Sequence, residues 1–189
     1  MSFSIVPIIN SIPGIENMSF LELGVWDGKN HAQIRSKDKS SVDSAMPADY
    51  RMSTDDFFAR NQRRFDIVFV DADHRLEGGL RDYDNATKIC DKLIFMHDLF
   101  PDHAVQATET GEYAGNVFRL LYHIIRTNQQ VEYYVLDGDC GMTVFLPPFK
   151  TFDLEEIDAR APYAELTDLD LARFNISQMS EILRRRLSK

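Results

Sequence analysis

The chain has 189 residues, of which 44% are hydrophobic and 27% charged, and this composition suits one globular domain rather than two. Its formal net charge of −9, from 30 acidic and 21 basic residues, argues against a nucleic-acid partner. Two isolated cysteines, Cys90 and Cys140, exclude a disulfide framework and a structural zinc site. We recognise no signal peptide and no membrane-spanning run, so we expect a cytoplasmic protein without a membrane partner.

Short apolar runs alternate with helical patterns, which is typical of βαβ units and a mostly parallel sheet. The predicted strands cover residues 18–23, 40–43, 50–52, 65–71, 92–96, 131–136 and 142–146. Helices are predicted over 30–36, 76–90, 117–125 and 168–187. A further helix is predicted to begin at Thr54, which would be its N-cap. The last two strands flank a compact turn, so they predict a hairpin. The fold class is therefore α/β, with a Rossmann-like, doubly wound, three-layer α/β/α arrangement and a mostly parallel sheet that ends in an antiparallel hairpin.

This pattern occupies residues 1–150, which we expect to form the ligand-binding part of the domain. After Pro147 and Pro148 the apolar pattern thins, and residues 151–189 are predicted to be a C-terminal helical extension of the same domain. That extension would pack on the sheet or on a partner subunit, so a homo-oligomer is one expectation. The loop 99–115 is long enough to favour a functional role over a plain connection.

Polar residues follow the first two predicted strands, where ligands of open α/β sheets bind. The first strand ends in Glu22 and Leu23 and is followed by Gly24 and Gly28, and Asp43 ends the second strand, where an acid can form hydrogen bonds with ribose hydroxyls. A pair of glycines alone is as easily a tight turn with no ligand. The middle glycine of a dinucleotide motif is absent and acids line the loop, so a cationic ligand such as S-adenosylmethionine fits better than a diphosphate.

A second group of ionisable residues follows the two central strands. Asp71, Asp73 and His74 end one of them, and His97 and Asp98 end the next. Asp71 and Asp98 offer hard oxygen ligands to Mg²⁺ or another divalent cation, and a histidine such as His74 has a pKa suited to accepting a hydroxyl proton near neutral pH. Asp73 and His97 are equally well explained as helix caps or loop contacts.

With these residues in hand, the chain resembles the class I S-adenosylmethionine-dependent methyltransferases, and within them a small-molecule O-methyltransferase subgroup that often acts in sugar biosynthesis. The resemblance spans roughly residues 19–146. The segments that carry it are 20–28, 41–43, 65–74, 93–98 and 111–118.

The resemblance implies cofactor contacts on several loops. Glu22 and Gly24, with Gly28 in the same turn, would line the methionine part, Asp43 would hold the ribose, and Ser53 or Thr54 would lie near adenine.

The resemblance also implies how the reaction proceeds. Asp71 would be shared by the cofactor site, the catalytic group and a metal site, Asp98 would be the second metal-binding acid, and His74 the general base. Two departures are a short first loop, with only 16 residues between Leu23 and Ser40, and Leu99, which stands where some metal-dependent relatives have an amide ligand.

The sequence thus predicts methyl transfer from S-adenosylmethionine to a hydroxyl of a small, sugar-like acceptor. Three alternatives stay open. A nicotinamide oxidoreductase would use the same acid after the second strand, and a metal-dependent hydrolase would use the second group of acids and histidines without an adenosine pocket. A non-catalytic binding module on a degenerate methyltransferase fold is the third, because a fold does not fix a function.

Overall fold

In the computed structural model, which describes residues 5–138, 140–169 and 171–187, seven strands form one mixed sheet. The strands are β1 (Ser19–Leu23), β2 (Asp38–Val42), β3 (Phe65–Val70), β4 (Cys90–Met96), β5 (Glu132–Leu136), β6 (Thr143–Leu146) and β7 (Arg173–Phe174). Their order is β2-β1-β3-β4-β6-β5-β7. The first four strands run parallel, β6 is antiparallel to β4 and β5, and β7 is parallel to β5.

Helices cover both faces of the sheet and make the three layers. They are α1 (Val6–Asn10), α2 (Lys29–Gln33), α3 (Thr54–Arg60), α4 (Leu76–Ile89), α5 (Phe118–Arg126), α6 (Tyr163–Thr167) and α7 (Ile176–Leu187). One apolar cluster joins the β1 residues Leu21 and Leu23 to α3, α4 and α5. The other joins Phe20 to α1 and α7. Alternate residues of one strand serve opposite faces, as the period of two requires.

The predicted fold class is confirmed, including the antiparallel pairing of β5 and β6. The predicted strand over 50–52 is wrong, because only Tyr50 makes a bridge, to Val42. The chain has no room for more, since Ser53 already caps α3. Its hydroxyl accepts the Asp56 N–H at 3.1 Å, so the N-cap is Ser53 and not Thr54.

The C-terminal segment differs from the predicted single helix over 168–187. Helix α6 ends at Thr167, and the chain then adds β7 to the sheet before α7 begins. Asn175 explains the restart: its side chain accepts the Gln178 N–H at 3.0 Å, while the Gln178 side chain accepts the Asn175 N–H at 2.9 Å. Among the described residues, no helix combines the length and the apolarity that crossing a bilayer requires.

Gly24 fixes how closely β1 and β3 approach at their carboxyl ends. Its φ is +83°, and a Cβ placed there would lie 2.0 Å from the Asp71 carbonyl oxygen. A side chain at this position therefore meets both a disfavoured backbone conformation and rigid backbone atoms.

We expect Gly24→Ala to lower the free energy of unfolding by at least about 3 kcal/mol, because strain and a backbone clash add. Gly14 is the matched control: its φ is +77°, but a Cβ there meets nothing within 4 Å. Gly14→Ala should lose only about 1 kcal/mol, the cost of the left-handed backbone alone. Urea denaturation measures both, and equal losses would show that the contact with Asp71 does not matter.

Candidate functional site

A cavity of about 930 Å³ opens at the carboxyl ends of β1, β3 and β4, where open α/β sheets bind ligands. It brings together most of the residues that the sequence singled out. Those that line it are Gly24, Asp43, Ser53, Thr54, Asp71, Asp73, His74, His97 and Asp98. Glu22 and Gly28 do not line it.

Asp43, directly after β2, holds the loops beside it together. Its Oδ2 accepts the Val25 N–H at 2.9 Å, and its Oδ1 accepts those of Ala45 and Met46, both at 2.8 Å. Burial alone would raise the pKa of Asp43, but the backbone donors, led by Met46 and Val25, outweigh it and hold the pKa below its ordinary value. The Trp26 backbone also contributes to this lowering, so Asp43 is held as a charged acceptor in the wall of the cavity.

Glu22 points away from the cavity, to the other face of β1. Its side chain is buried and its Oε2 lies 2.9 Å from His31 Nδ1, on α2. Burial raises the pKa of Glu22, and the contacts with His31 offset this in part. Glu22 is close enough to Asp71 to interact with it electrostatically, so it adds negative charge beneath the cavity rather than in its wall.

Asp71, His74, His97 and Asp98 form the most highly charged part of the wall, which we call the charged cluster. His74 Nε2 lies 3.4 Å from Asp71 Oδ1 and 3.2 Å from Asp98 Oδ2. His97 Nδ1 lies 3.4 Å from Asp71 Oδ1 and 3.1 Å from Asp98 Oδ1. Parallel pairing of Val70 with Met96 sets the two strand ends side by side, which explains the meeting. Each histidine thus bridges the same two carboxylates.

The two ring nitrogens of His74 have different tasks. Nδ1 donates to the carbonyl oxygen of Tyr113, which leaves Nε2 facing the carboxylates. The hydrogen bond to Asp71 and the charge of Asp98 raise the pKa of His74 to about 9. The prediction of a histidine that titrates near neutral pH is therefore wrong for this arrangement, in which His74 is protonated and balances the acids.

Three of these side chains also suit a metal ion. Asp71, His74 and Asp98 each offer one ligand atom, and the three atoms lie within 4.8 Å of one another. Two carboxylate oxygens and an imidazole nitrogen match the preferences of several divalent cations. The Nδ1 bond to a backbone carbonyl is the support that a metal-binding histidine commonly has. The two acids are the ones that the sequence predicted for this role, and the structure adds His74 as a third donor.

Asp73 has a structural role. Its Oδ1 accepts the Arg75 N–H at 3.0 Å, and both carboxylate oxygens accept from the Arg75 guanidinium. Gly78 makes room for it, because a Cβ there would lie 2.0 Å from Asp73 Oδ2. The interpretation as a loop contact at the start of α4 fits Asp73, whereas His97 belongs to the charged cluster.

Two exposed aromatic residues, which sequence analysis missed, also line the cavity. Trp26 is 80% exposed and Tyr113 is 70% exposed. Both adopt positive φ, 49° and 52°, which is rare for large side chains and typical of functional sites. Trp26 sits in the loop directly after β1, so its residue type alone could have marked it. The backbone carbonyl of Tyr113 contacts His74, which is 39 residues away along the chain, and no local sequence pattern predicts that contact.

Asp82 on α4 lines the same cavity and is fully buried. Neither of its carboxylate oxygens has a hydrogen bond of normal geometry to the described residues, although the Thr54 hydroxyl lies beside it. Burial raises the pKa of Asp82 to about 6, from an ordinary 3.8. Above pH 6 the protein therefore carries a buried, poorly solvated charge.

Comparisons with known proteins give a fold and no relative in sequence. No protein-family model matches the chain, and no curated protein matches it. An O-methyltransferase from Bacillus cereus, solved in complex with SAH, is similar in structure with a TM-score of 0.53 and 13% sequence identity, over 75% of this chain and 79% of that one. The O-methyltransferase TomG from Streptomyces achromogenes, involved in Tomaymycin synthesis and solved in complex with SAM, gives 0.52 and 13%, over 75% and 77%.

The chain therefore has the class I S-adenosylmethionine-dependent methyltransferase fold. At 13% identity the likeness concerns the fold, and what the site does has to be argued from its own residues.

We expect Asp82→Asn to stabilise the protein by about 1 to 3 kcal/mol at pH 8, because a raised carboxyl pKa costs folding energy once the group ionises. The cost is absent below the unfolded pKa of 3.8 and is complete above about 6, so the gain should shrink as the pH falls through this window. Exposed Asp168, for which no side-chain hydrogen bond is described, supplies the control Asp168→Asn. Urea denaturation from pH 4 to 8 measures both. A gain that does not vary with pH would contradict the argument.

Proposed function

We propose that the chain binds S-adenosylmethionine and transfers its methyl group to a hydroxyl of a small, sugar-like acceptor. One observation carries the proposal: a single cavity holds both Asp43, after β2, and the cluster of Asp71, His74 and Asp98, after β3 and β4. The first suits a nucleoside and the second suits a hydroxyl that must lose a proton. Bound SAH and SAM in two proteins of the same fold support the cofactor.

The cofactor part of the cavity offers one acceptor for a ribose hydroxyl. Asp43 lines the cavity and its depressed pKa keeps it ionised at neutral pH, so it is a charged acceptor for a ribose hydroxyl. Asp43, Asp71 and Asp98 make the wall acidic, which suits the sulfonium and ammonium groups of S-adenosylmethionine and opposes a diphosphate. When bound, the cofactor supplies the activated methyl group.

The acceptor part of the cavity is where a proton must move. Nδ1 of His74 is bonded to the Tyr113 carbonyl, so proton exchange takes place at Nε2. Nε2 becomes a base only when another cation balances Asp71 and Asp98, because these acids hold its proton in their present arrangement. The residues then act by holding the acceptor hydroxyl next to Nε2 and at the correct distance from the methyl group.

The ligand atoms of Asp71, His74 and Asp98 fit a divalent ion that would balance the charge of the two acids. Asp71 and Asp98 would hold it, with His74 as a third ligand or as the base beside it. Such an ion would lower the pKa of the acceptor hydroxyl and relieve His74 of its task of neutralising the acids.

The walls of the cavity suit a ring-shaped polyol. The exposed rings of Trp26 and Tyr113 can stack on the C–H face of a sugar, while the carboxylates of the charged cluster accept its hydroxyls. An acceptor with both an apolar face and several hydroxyls uses both kinds of group. This combination favours a sugar over a purely aliphatic alcohol.

Binding of SAH tests the cofactor. We expect wild-type protein to bind SAH, and Asp43→Asn to weaken that binding about tenfold through loss of a charged acceptor for the ribose. Asp158→Asn is the control, because Asp158 also accepts a backbone N–H, from Arg160 at 2.9 Å, but lies outside the cavity. Isothermal titration calorimetry measures all three. If the wild-type protein does not bind SAH but hydrolyses esters in the presence of a divalent metal ion, the result would favour the metal-dependent hydrolase instead.

Turnover tests the catalytic group. We expect His74→Ala to lower the methyl-transfer rate about a hundredfold or more, with SAH affinity unchanged, because it removes the proton acceptor and not the nucleoside contacts. His103→Ala, which alters an exposed histidine outside the cavity, should leave the rate unchanged. Release of SAH is followed with a panel of sugars, with and without Mg²⁺ or Mn²⁺. Full activity in His74→Ala would remove this residue from the mechanism, and no activity on any sugar would refute the acceptor class.

A further inference from the structure

The backbone of His74 is held by a segment that lies far from it in sequence, residues 107–117. The N–H groups of Asn116 and Val117 both donate to the His74 carbonyl at 3.1 Å. The Asn116 side chain accepts the Leu76 N–H at 2.6 Å, at the first residue of α4. Gly115, with φ +60°, allows this approach, because a Cβ there would lie 2.1 Å from the His74 carbonyl oxygen.

The side chain of His74 is held by the same segment. Its Nδ1 donates to the carbonyl of Tyr113, a residue whose ring lines the cavity. The hydrogen bond fixes which nitrogen faces the acids and how the ring is turned. The position of the 107–117 segment therefore sets the position of Nε2.

One exposed carboxylate anchors this segment. The two carboxylate oxygens of Glu109 accept from Arg119 at 2.7 and 2.5 Å, and Oε2 also accepts from the Asn116 side chain at 3.1 Å. Arg119 belongs to α5 and its side chain is only 5% exposed, so its charge is poorly solvated without a partner. Hydrogen bonding with Arg119 holds the pKa of Glu109 below its ordinary value.

The contacts of the two partners differ. Arg119 Nε also donates to the Ala161 carbonyl at 3.0 Å, which ties α5 to the start of α6 without Glu109. The described side-chain hydrogen bonds of Glu109 go to Arg119 and Asn116 alone. A change at Glu109 therefore acts on the 107–117 segment and leaves the contact between α5 and α6 in place.

We propose that Glu109 is a positioning residue: by pairing with Arg119 and Asn116 it keeps the 107–117 segment against residues 74–76 and so orients the His74 ring. The inference rests on the proposed function for what His74 does, but not for how His74 is held. Tyr113 both lines the cavity and supplies the carbonyl that orients His74. A methyl acceptor that contacts Tyr113 would therefore contact the same segment that positions Nε2.

The experiment compares wild-type protein with Glu109→Gln, which keeps the shape of the side chain and removes its charge. Glu112→Gln is the matched control, since Glu112 is an exposed acid of the same segment with no described side-chain hydrogen bond. NMR follows the Nδ1 proton of His74 and the amide protons of Leu76, Asn116 and Val117. We expect all four to exchange with solvent about tenfold faster in Glu109→Gln, and at the wild-type rate in Glu112→Gln.

Amides of β3 and β4 serve as the internal reference, because a general loss of stability would speed their exchange as well. Faster exchange confined to His74 and its hydrogen-bond partners supports the inference. Exchange of the Nδ1 proton at the wild-type rate in Glu109→Gln overturns it. Glu109→Asp provides a second variant should Glu109→Gln fail to fold, since it keeps the charge but is too short to reach both partners. Unchanged exchange in that variant overturns the inference as well.

The measurement needs no turnover, so it separates this inference from the proposed function. Where methyl transfer is detectable, Glu109→Gln should lower its rate about tenfold or more without changing SAH affinity. If wild-type protein transfers no methyl group and Glu109→Gln still releases the His74 ring, the proposed function fails and the positioning role stands.

Discussion

The carboxylates of Asp71 and Asp98 need a positive charge between them, and this requirement determines the arrangement of the site. Asp71 and Asp98 follow neighbouring strands, and like charges so close repel strongly where water is scarce. His74 supplies the charge, which is why its pKa rises to about 9. Either a proton on Nε2 or a divalent ion can neutralise the two carboxylates. The protonation of His74 and the binding of a metal ion therefore depend on each other.

The sheet imposes this meeting on the chain. Parallel strands bring their carboxyl ends to one edge, and the pairing of Val70 with Met96 places the residues that follow side by side. Asp98 takes a left-handed conformation, with φ +65°, that costs about 1 kcal/mol for a residue with a side chain. In this conformation the nearly buried Asp98 carboxylate lies 3.2 Å from His74 Nε2.

The sequence was sufficient for the fold and for the three acids at the ends of β2, β3 and β4, but not for Asp82. Asp43, Asp71 and Asp98 could be predicted because each lies at or just after the end of a predicted strand, and the carboxyl ends of parallel strands share an edge. Glu22 could have been placed better. It alternates with Leu21 and Leu23, so the period of two puts it on the opposite face, where it meets His31.

What the sequence could not show depends on contacts between distant residues. Neither the pairing of Glu109 with Arg119 nor the bond from His74 to Tyr113 leaves a local pattern, because each joins segments that only the folded chain brings together. The state of His74 follows from such contacts. An isolated histidine predicts a base near neutral pH, whereas the same ring between two acids, fixed at Nδ1 by a loop, is a cation.

Charge balance also bears on the methionine part of the cofactor under the proposed function. Glu22, which the family resemblance assigned to it, is buried against His31 and does not line the cavity. A bound ammonium group would therefore have to pair with another acid of the cavity wall. Asp71 is such an acid, and its backbone lies directly against Gly24.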